Sequence, residues 1–565
     1  MIHASAGDEL IQRCSIATSA GSIVRSRTLL PTSHVGGKAD GVFGRGVRED
    51  FFMLGARIGG AMTALMLALW GGSVVAPLWA SASQPQSPSI FDVLEHHRRV
   101  VGDLDAATAT WSGRIMQNGF QGAYAIVADR DGRYKLTINL PLSSRSEGDD
   151  GVNAWTQDEN GNVESFDTQR LRSLGSRLLG YNAFVDGPQF VGKLSGSATT
   201  NGRQTYEITA TSSLAPVTIH IDAQTYLVDG ADTASTSIRY SAYRRFGKVT
   251  IPTDVMETKA GATLETTVDA VRFDVPSKSA FAKPASRQPR FPSGKTDIAI
   301  SFNPIDGLIV VPGLVNGRPA HFLIDSGSTS SVIDEASAKR LALPTAGSAS
   351  VTGAGVLNGT IARADSLDVA GVRFAPFIFD DVPLSLPAPI AHSGIDGVLG
   401  YDFLAQLVTR ISFARAEIRL IQASSFSYKG SGAVLPLDES ARVPRLHTSV
   451  GRADKVTLEI DTGSDAKLVL YPEFADAHFG DFTSPGDLAE DYARGAGGDF
   501  PIRFENLDEL NLGPYSVPDL LTQVIVHPTG AFSPSRSDGI IGDGTLALFA
   551  AVFIDYPGSR IIFER

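Results

Sequence analysis

Two short stretches carry the residues that could do chemistry: Asp325-Ser326-Gly327-Ser328 and Asp461-Thr462-Gly463-Ser464. Each follows an apolar run, His321-Phe322-Leu323-Ile324 and Val456-Thr457-Leu458-Glu459-Ile460, that reads as a strand driving into a sharp turn. A carboxylate delivered in this way is suited to general acid–base work on water. Two of them brought close enough to share one proton could take a proton from water while giving a hydrogen bond to a carbonyl oxygen, because like charges at that distance cannot both ionise. Such a pair would titrate as a unit. Gly327 and Gly463 would let the backbone turn with no Cβ in the way and aim their amides at the carboxylates.

The surroundings repeat as well. Asp396-Gly397-Val398-Leu399-Gly400 follows the first Asp, and Asp538-Gly539-Ile540-Ile541-Gly542 follows the second, with intervals of 75 residues (325 to 400) and 81 residues (461 to 542). A hairpin-like ending comes after each, Ile411-Ser412-Phe413 to Ile418-Arg419-Leu420 and Ile554-Asp555-Tyr556 to Ile561-Ile562-Phe563. Between the landmarks lies a glycine-bearing segment, Gly353-Ala354-Gly355 to Gly359 in one half and Gly495-Ala496-Gly497-Gly498 in the other. Four landmarks in the same order, twice, indicate an internal duplication into two similar lobes.

This arrangement resembles the aspartic peptidases, over roughly the last half of the chain: Asp-Ser/Thr-Gly after a hydrophobic strand, a glycine-bearing flap, then two apolar residues and Gly. The short flaps look more like those of retropepsins than of pepsins, and no Tyr lies between Val351 and Ile361. The resemblance implies a two-lobed, β-barrel-like, acid-protease fold in one monomeric chain, with Asp325 and Asp461 as the catalytic pair and a peptide or protein as substrate. It further implies that Ser326 and Thr462 bond across the lobe boundary. Ser328 and Ser464 take the position that donates to the outer carboxylate oxygen in pepsin-like relatives. Gly400 and Gly542 back the active loops, and Gly353, Gly355 and Gly359 belong to a mobile lid, or to a plain hairpin turn. The lobes are unequal: Gly400-Tyr401-Asp402-Phe403-Leu404 stands against Gly542-Asp543-Gly544-Thr545-Leu546, and the second lobe has an acidic insertion at 481–491.

At 565 residues the chain is long enough for about two to four domains. Its 43% apolar and 19% charged content is that of a globular protein, and a net charge of −12 argues against a nucleic-acid partner. The one cysteine, Cys14, lies upstream of the expected mature protein, so disulfides, thiol nucleophiles and cysteine-bound metals are not expected in the folded part. No cofactor or metal is expected.

In chain order, residues 1–52 read as a disordered extension or a start assigned too early. Residues 53–82 read as a signal peptide: Met53 to Arg57, an apolar segment from Ile58 to Trp79, then Ala80-Ser81-Ala82 with cleavage after Ala82. An uncleaved membrane anchor is the alternative. Either way the protein is expected to be exported, to the periplasm or outside the cell. Residues 83–89 are a linker, and a helix is predicted from Ile90 to Val101 with Phe91, Leu94 and Val101 on one face. His96-His97 then falls on its polar face. Short alternating runs fill the rest of 90–275, interrupted by a predicted helix at Gln169 to Leu179. The helix–meander–helix–meander pattern, with Trp155, is similar to the periplasmic lipoprotein-carrier fold, an α+β arrangement of antiparallel curved sheet and helices; a generic antiparallel domain is the alternative. The resemblance implies an apolar or lipoprotein ligand. Residues 276–297 read as a Pro-rich linker, 298–422 as lobe one, 423–432 as a polar bridge and 433–565 as lobe two.

Other signatures fall away. Gly542-Asp543-Gly544-Thr545-Leu546-Ala547 matches a dinucleotide fingerprint without the βαβ unit that would give it meaning. Neither His-Glu-x-x-His nor Gly-x-Ser-x-Gly occurs. The expected function is therefore an exported aspartic endopeptidase. The alternatives are a non-catalytic peptide- or lipoprotein-binding protein on the same fold, or a carrier whose main task lies in residues 90–275.

Overall fold

The computed structural model describes residues 17–19 and 88–565, the latter apart from 103–107, 167–191, 385–393, 484–489 and gaps of one to four residues. The signal segment at 53–82, the extension before it and the helix predicted at Gln169 to Leu179 lie outside the described residues. Among the described residues, no helix is long and apolar enough to cross a membrane.

Ser89 caps the helix Ile90–Val101 through a reciprocal bond with Asp92. Val93, Leu94, His97 and Val101 form its buried face, against Ile208, Ile219 and Ile221 of the sheet that follows and Val249 of a separate two-stranded hairpin. Two expectations are corrected here. Phe91 is 80% exposed, because the buried stripe runs through 93, 94, 97 and 101 and leaves position 91 on the far side. His97 is buried and its Nδ1 lies 2.6 Å from the Tyr226 carbonyl oxygen, whereas His96 stays exposed and stacks on the Tyr226 ring.

Apart from Arg244–Phe246 and Val249–Ile251, which pair separately, the strands from Thr108–Gln117 to Ala262–Arg272 make one antiparallel sheet of thirteen strands, wider than the two meanders suggested. It ends on the hairpin Ala154–Gln157 and Val163–Phe166, with Trp155 fully buried. The Pro-rich segment beyond it is packed: the Arg287 amide donates to the Gly161 carbonyl, and Arg290 and Arg373 exchange backbone bonds.

The duplication read from the sequence is seen strand for strand. In lobe one, Arg318–Ile324 runs parallel to Gly397–Leu399, which lies antiparallel to Val332–Asp334, which runs parallel to Phe377–Val382. In lobe two, Ala453–Asp461, Gly539–Gly542, Leu468–Leu470 and Tyr515–Ile525 repeat those pairings with the same directions. Phe322, Leu323 and Ile324 are all buried, so a strand enclosed on both faces reads as a continuous apolar run. The Asp that opens each second landmark braces the strand leading to the Asp-centred turn. Asp396 accepts from the His321 amide at 2.9 Å and Asp538 from the Thr457 amide at 2.8 Å, in each case four residues before the candidate catalytic Asp.

The two hairpin endings join. Asp297–Ser301, Glu417–Gln422 and Leu407–Ser412 meet Ala551–Asp555, Arg560–Glu564 and Ala433–Pro436 in one six-stranded sheet, with Leu407–Ser412 paired to Ala551–Asp555 at its centre. Three strands come from each lobe in mirrored order, and one apolar core runs through both lobes.

Candidate active site

The two Asp-centred turns meet face to face. A Cβ built on Gly327 would fall 2.5 Å from the Asp461 carboxyl carbon, and one built on Gly463 would fall 2.5 Å from that of Asp325. The glycines are needed for this approach. Neither has positive φ, so their expected role in easing the turn is replaced by making room for the opposite carboxyl.

The hydroxyl residues hold the turns together with matching bonds. The Ser326 amide donates to Thr462 Oγ1 at 3.0 Å, and the Thr462 amide donates to Ser326 Oγ at 3.1 Å. Ser326 Oγ donates to the Ile460 carbonyl at 2.7 Å, and Thr462 Oγ1 to the Ile324 carbonyl at 2.9 Å. All four are buried, where an unmade bond would be costly. Tyr556 adds a long contact from its hydroxyl to the Ser326 carbonyl at 3.5 Å.

Asp325 and Asp461 are 1% and 2% exposed, so the pair is sealed from bulk water. Burial above all, then the Asp461 carboxyl facing and hydrogen-bonded to it, holds the Asp325 carboxyl well above the usual range. Amides of Gly327 and Ser328 pull the other way. The Gly463 amide donates to Asp461 Oδ1 at 2.7 Å. Two acids in this relation keep a proton between them.

Gly400 and Gly542 sit directly behind the turns. A Cβ on Gly400 would be 2.4 Å from the Ser330 carbonyl oxygen, and one on Gly542 would be 2.4 Å from that of Ala466. Ser328 and Ser464 do not take the part the resemblance implies. Ser328 Oγ spends its one proton on the Ser330 carbonyl at 2.7 Å, and Ser464 Oγ, buried under Gly542, makes no hydrogen bond.

The glycine segments form two hairpins, Thr345–Thr352 with Val356–Ala364 and Glu490–Gly495 with Gly498–Leu512. Their tips touch, the Gly355 amide donating to the Ala496 carbonyl at 3.1 Å, and the Gly353 carbonyl also accepts from the Ala531 amide, in the separate turn Gly530–Phe532, at 2.8 Å. Gly497, at φ +86°, turns the second tip. Gly353 and Gly355 are at the first tip. Gly359 lies further down, in the strand, where a Cβ would strike the Asp381 carbonyl.

Sequence reading missed a third acid. Asp543 follows Gly542 where lobe one has Tyr401; it is 2% exposed and neither carboxyl oxygen has a hydrogen-bond partner. Burial, then Asp461, Asp325 and Asp465, push it well above the usual range. The unequal text after the two glycines was the signal for it. Among the described residues, no cluster of His, Cys, Asp and Glu is arranged to hold a metal ion.

Residues 311–403, which include Asp325, the first hairpin and Gly400, match a family model described as aspartyl protease. The match lies within lobe one and agrees with the resemblance drawn from its motifs. No curated protein matches the chain. Among solved structures, a retropepsin-like aspartic protease from Rickettsia conorii is 18% identical, covering 22% of this chain and 88% of that one, at a TM-score of 0.16. The LolA superfamily protein NE2245 from Nitrosomonas europaea is 12% identical, covering 35% of this chain and 99% of that one, at a TM-score of 0.27. A putative outer membrane lipoprotein-sorting protein domain from Vibrio parahaemolyticus is 11% identical, covering 33% and 94%, at 0.23.

Proposed function

We propose that this chain is an exported aspartic endopeptidase that hydrolyses peptide bonds with a water activated between Asp325 and Asp461. The observation that carries the reading is the reciprocal placement of the two turns, each glycine giving way to the other turn's carboxyl. The ionised carboxylate takes a proton from the water as its oxygen bonds to the carbonyl carbon. The protonated carboxyl gives its proton to the carbonyl oxygen, leaving a neutral diol. The diol then collapses: the carboxyl that took the water's proton gives it to the amine nitrogen, the other carboxylate takes a proton from a diol hydroxyl as the C–N bond breaks, and the pair again holds one proton. The bonds of Ser326 and Thr462 set the separation on which this depends, and the paired hairpins must part to admit a substrate and close to exclude water.

Export rests on the apolar segment and small-residue site within 53–82. Mature protein recovered from outside the cytoplasm is expected to begin at Ser83. The domain at 90–275 is read as a binding element for an apolar or lipoprotein ligand, and lipid co-purifying with the full chain would be seen by mass spectrometry.

Asp325→Asn and Asp461→Asn are each expected to abolish cleavage of an unfolded protein in the acid range, with the fold kept. Cleavage surviving either change sinks the proposal. A second reading, a peptide- or lipoprotein-binding protein that does not cleave, is favoured by the near-complete covering of both acids. It prevails if the wild-type chain binds peptide and hydrolyses none.

A further inference from the structure

The hairpin at the end of the thirteen-stranded sheet does more than pack against lobe one. Its turn, 158–162, is shaped from within: the Asn162 amide and Nδ2 both donate to Asp158, at 2.9 and 3.0 Å. The turn presents Asn160, which is 4% exposed. Asn160 treats lobe one as a strand neighbour would. Its Nδ2 donates to the Ile378 carbonyl at 3.0 Å and its Oδ1 accepts from the Ile378 amide at 2.8 Å. The same Nδ2 also donates to Asp402 Oδ2 at 2.7 Å, while Asn162 Nδ2 donates to the Asp402 carbonyl at 3.0 Å.

Asp402 in turn holds active loop one. Its other carboxylate oxygen accepts from Ser331 Oγ, and Ser331 Oγ accepts from the Gly400 amide at 3.1 Å. From there two backbone bonds reach the catalytic turn. The Tyr401 amide donates to the Ser328 carbonyl at 2.8 Å, and the Asp325 amide to the Leu399 carbonyl at 3.1 Å. The path from Asn160 to Asp325 is thus a continuous run of buried hydrogen bonds.

Among the described residues, the loop of lobe two has no such brace. Gly544 stands where lobe one has Asp402, and Lys467 where it has Ser331. The Gly542 amide is satisfied by the Lys467 backbone carbonyl at 3.3 Å, within the lobe. The glycine behind one loop is held from within its own lobe, whereas the glycine behind the other is held through a side chain of the N-terminal sheet.

The geometry points to Asn160 as a positioning residue for the peptidase reaction: the N-terminal domain, through Asn160, Asp402, Ser331 and Gly400, sets the placement of Asp325. The inference rests on the peptidase reading above for its catalytic arm, and on the hydrogen bonds alone for its structural arm. A loop left about 1 Å out of place lowers the rate of the chemical step while leaving the substrate contacts of the cleft in being.

The test uses the full chain. Asn160→Ala is expected to speed amide hydrogen exchange in 325–331 and 397–404 while leaving 461–467 and 539–546 unchanged. It is also expected to lower kcat about tenfold or more with KM within about threefold. Asn160→Leu, close to asparagine in size and with no donor for Asp402, gives the same result and serves if the alanine variant does not fold. Lys283→Ala removes only an exposed bond to Ser165 of the same hairpin and leaves both readouts where they were. Exchange that stays put in loop one, or rises equally in both lobes, overturns the inference, as does an unchanged kcat. If the wild-type chain cleaves nothing, the peptidase reading falls by itself. Exchange rising in loop one alone then still establishes the dependence of that loop on the N-terminal domain.

Discussion

Thr462→Val removes two of the four bonds that tie the two Asp-centred turns. Valine keeps the shape of threonine, so no cavity opens. What is lost is the acceptor for the Ser326 amide, at 3.0 Å, and the donor to the Ile324 carbonyl, at 2.9 Å. Thr462 and Ser326 are both fully buried, so water cannot replace either partner. An orphaned buried amide costs about 1–3 kcal/mol and the lost second bond about 1 kcal/mol, which together give roughly 2–4 kcal/mol. Urea unfolding followed by fluorescence should show a loss of that size for the transition of the joined lobes. Peptide cleavage should fall about tenfold or more, since the Ser326 amide lies beside Asp325 and its shift moves the acid. Thr462→Ser, which keeps the hydroxyl, should lose less than about 1 kcal/mol. A valine variant within about 0.5 kcal/mol of wild type, and with kcat within about twofold, would show that the reciprocal bonds do not set the separation of the pair.

Three further outcomes are expected. Burial pushes Asp158 up to about 7 and Asp402 to about 6, from an ordinary 3.8, with Arg442 lowering the first and Ser331 the second. A raised folded-state value stabilises the protein when the group is protonated, so this contribution is full below about pH 4 and is lost as pH rises through 6 and 7. For Asp158 it is on the order of 4 kcal/mol at most. Asp158→Asn should therefore flatten the fall in melting temperature between pH 5 and pH 8 (both as assay conditions, about one decade either side of the transition); a fall as steep as that of wild type counts against it. Gly327→Ala should abolish cleavage while the chain stays folded, because its Cβ would sit 2.5 Å from the Asp461 carboxyl carbon; full activity in that variant would contradict the facing geometry. Gly355→Ala would place a Cβ 2.4 Å from the Gly497 carbonyl oxygen and hold the hairpin tips apart. Its KM should rise more than its kcat falls, as steady-state kinetics would show.

The sequence determined the repeat, the two acids, the glycines around them and the mainly β character, because these are local. An apolar run enclosed on both faces must be continuous, a turn with no room for a Cβ must carry glycine, and a duplicated gene half keeps its landmarks in order. Phe91 and His97 show where local reading gives out: one turn of helix offers several apolar stripes, and only the sheet beneath chose the one through Val93 and His97. Ser328 and Ser464 show the same for a motif, since a hydroxyl's partner is whichever acceptor lies nearest after folding. The pairing of Leu407–Ser412 with Ala551–Asp555, the meeting of the hairpin tips and the burial of Asp543 join residues far apart in the chain. So does the hold of Asn160 on Asp402, across 242 residues. Contacts of that span depend on which surfaces remain after each sheet has formed, and that is decided by the packing of the whole molecule rather than by any stretch of its text.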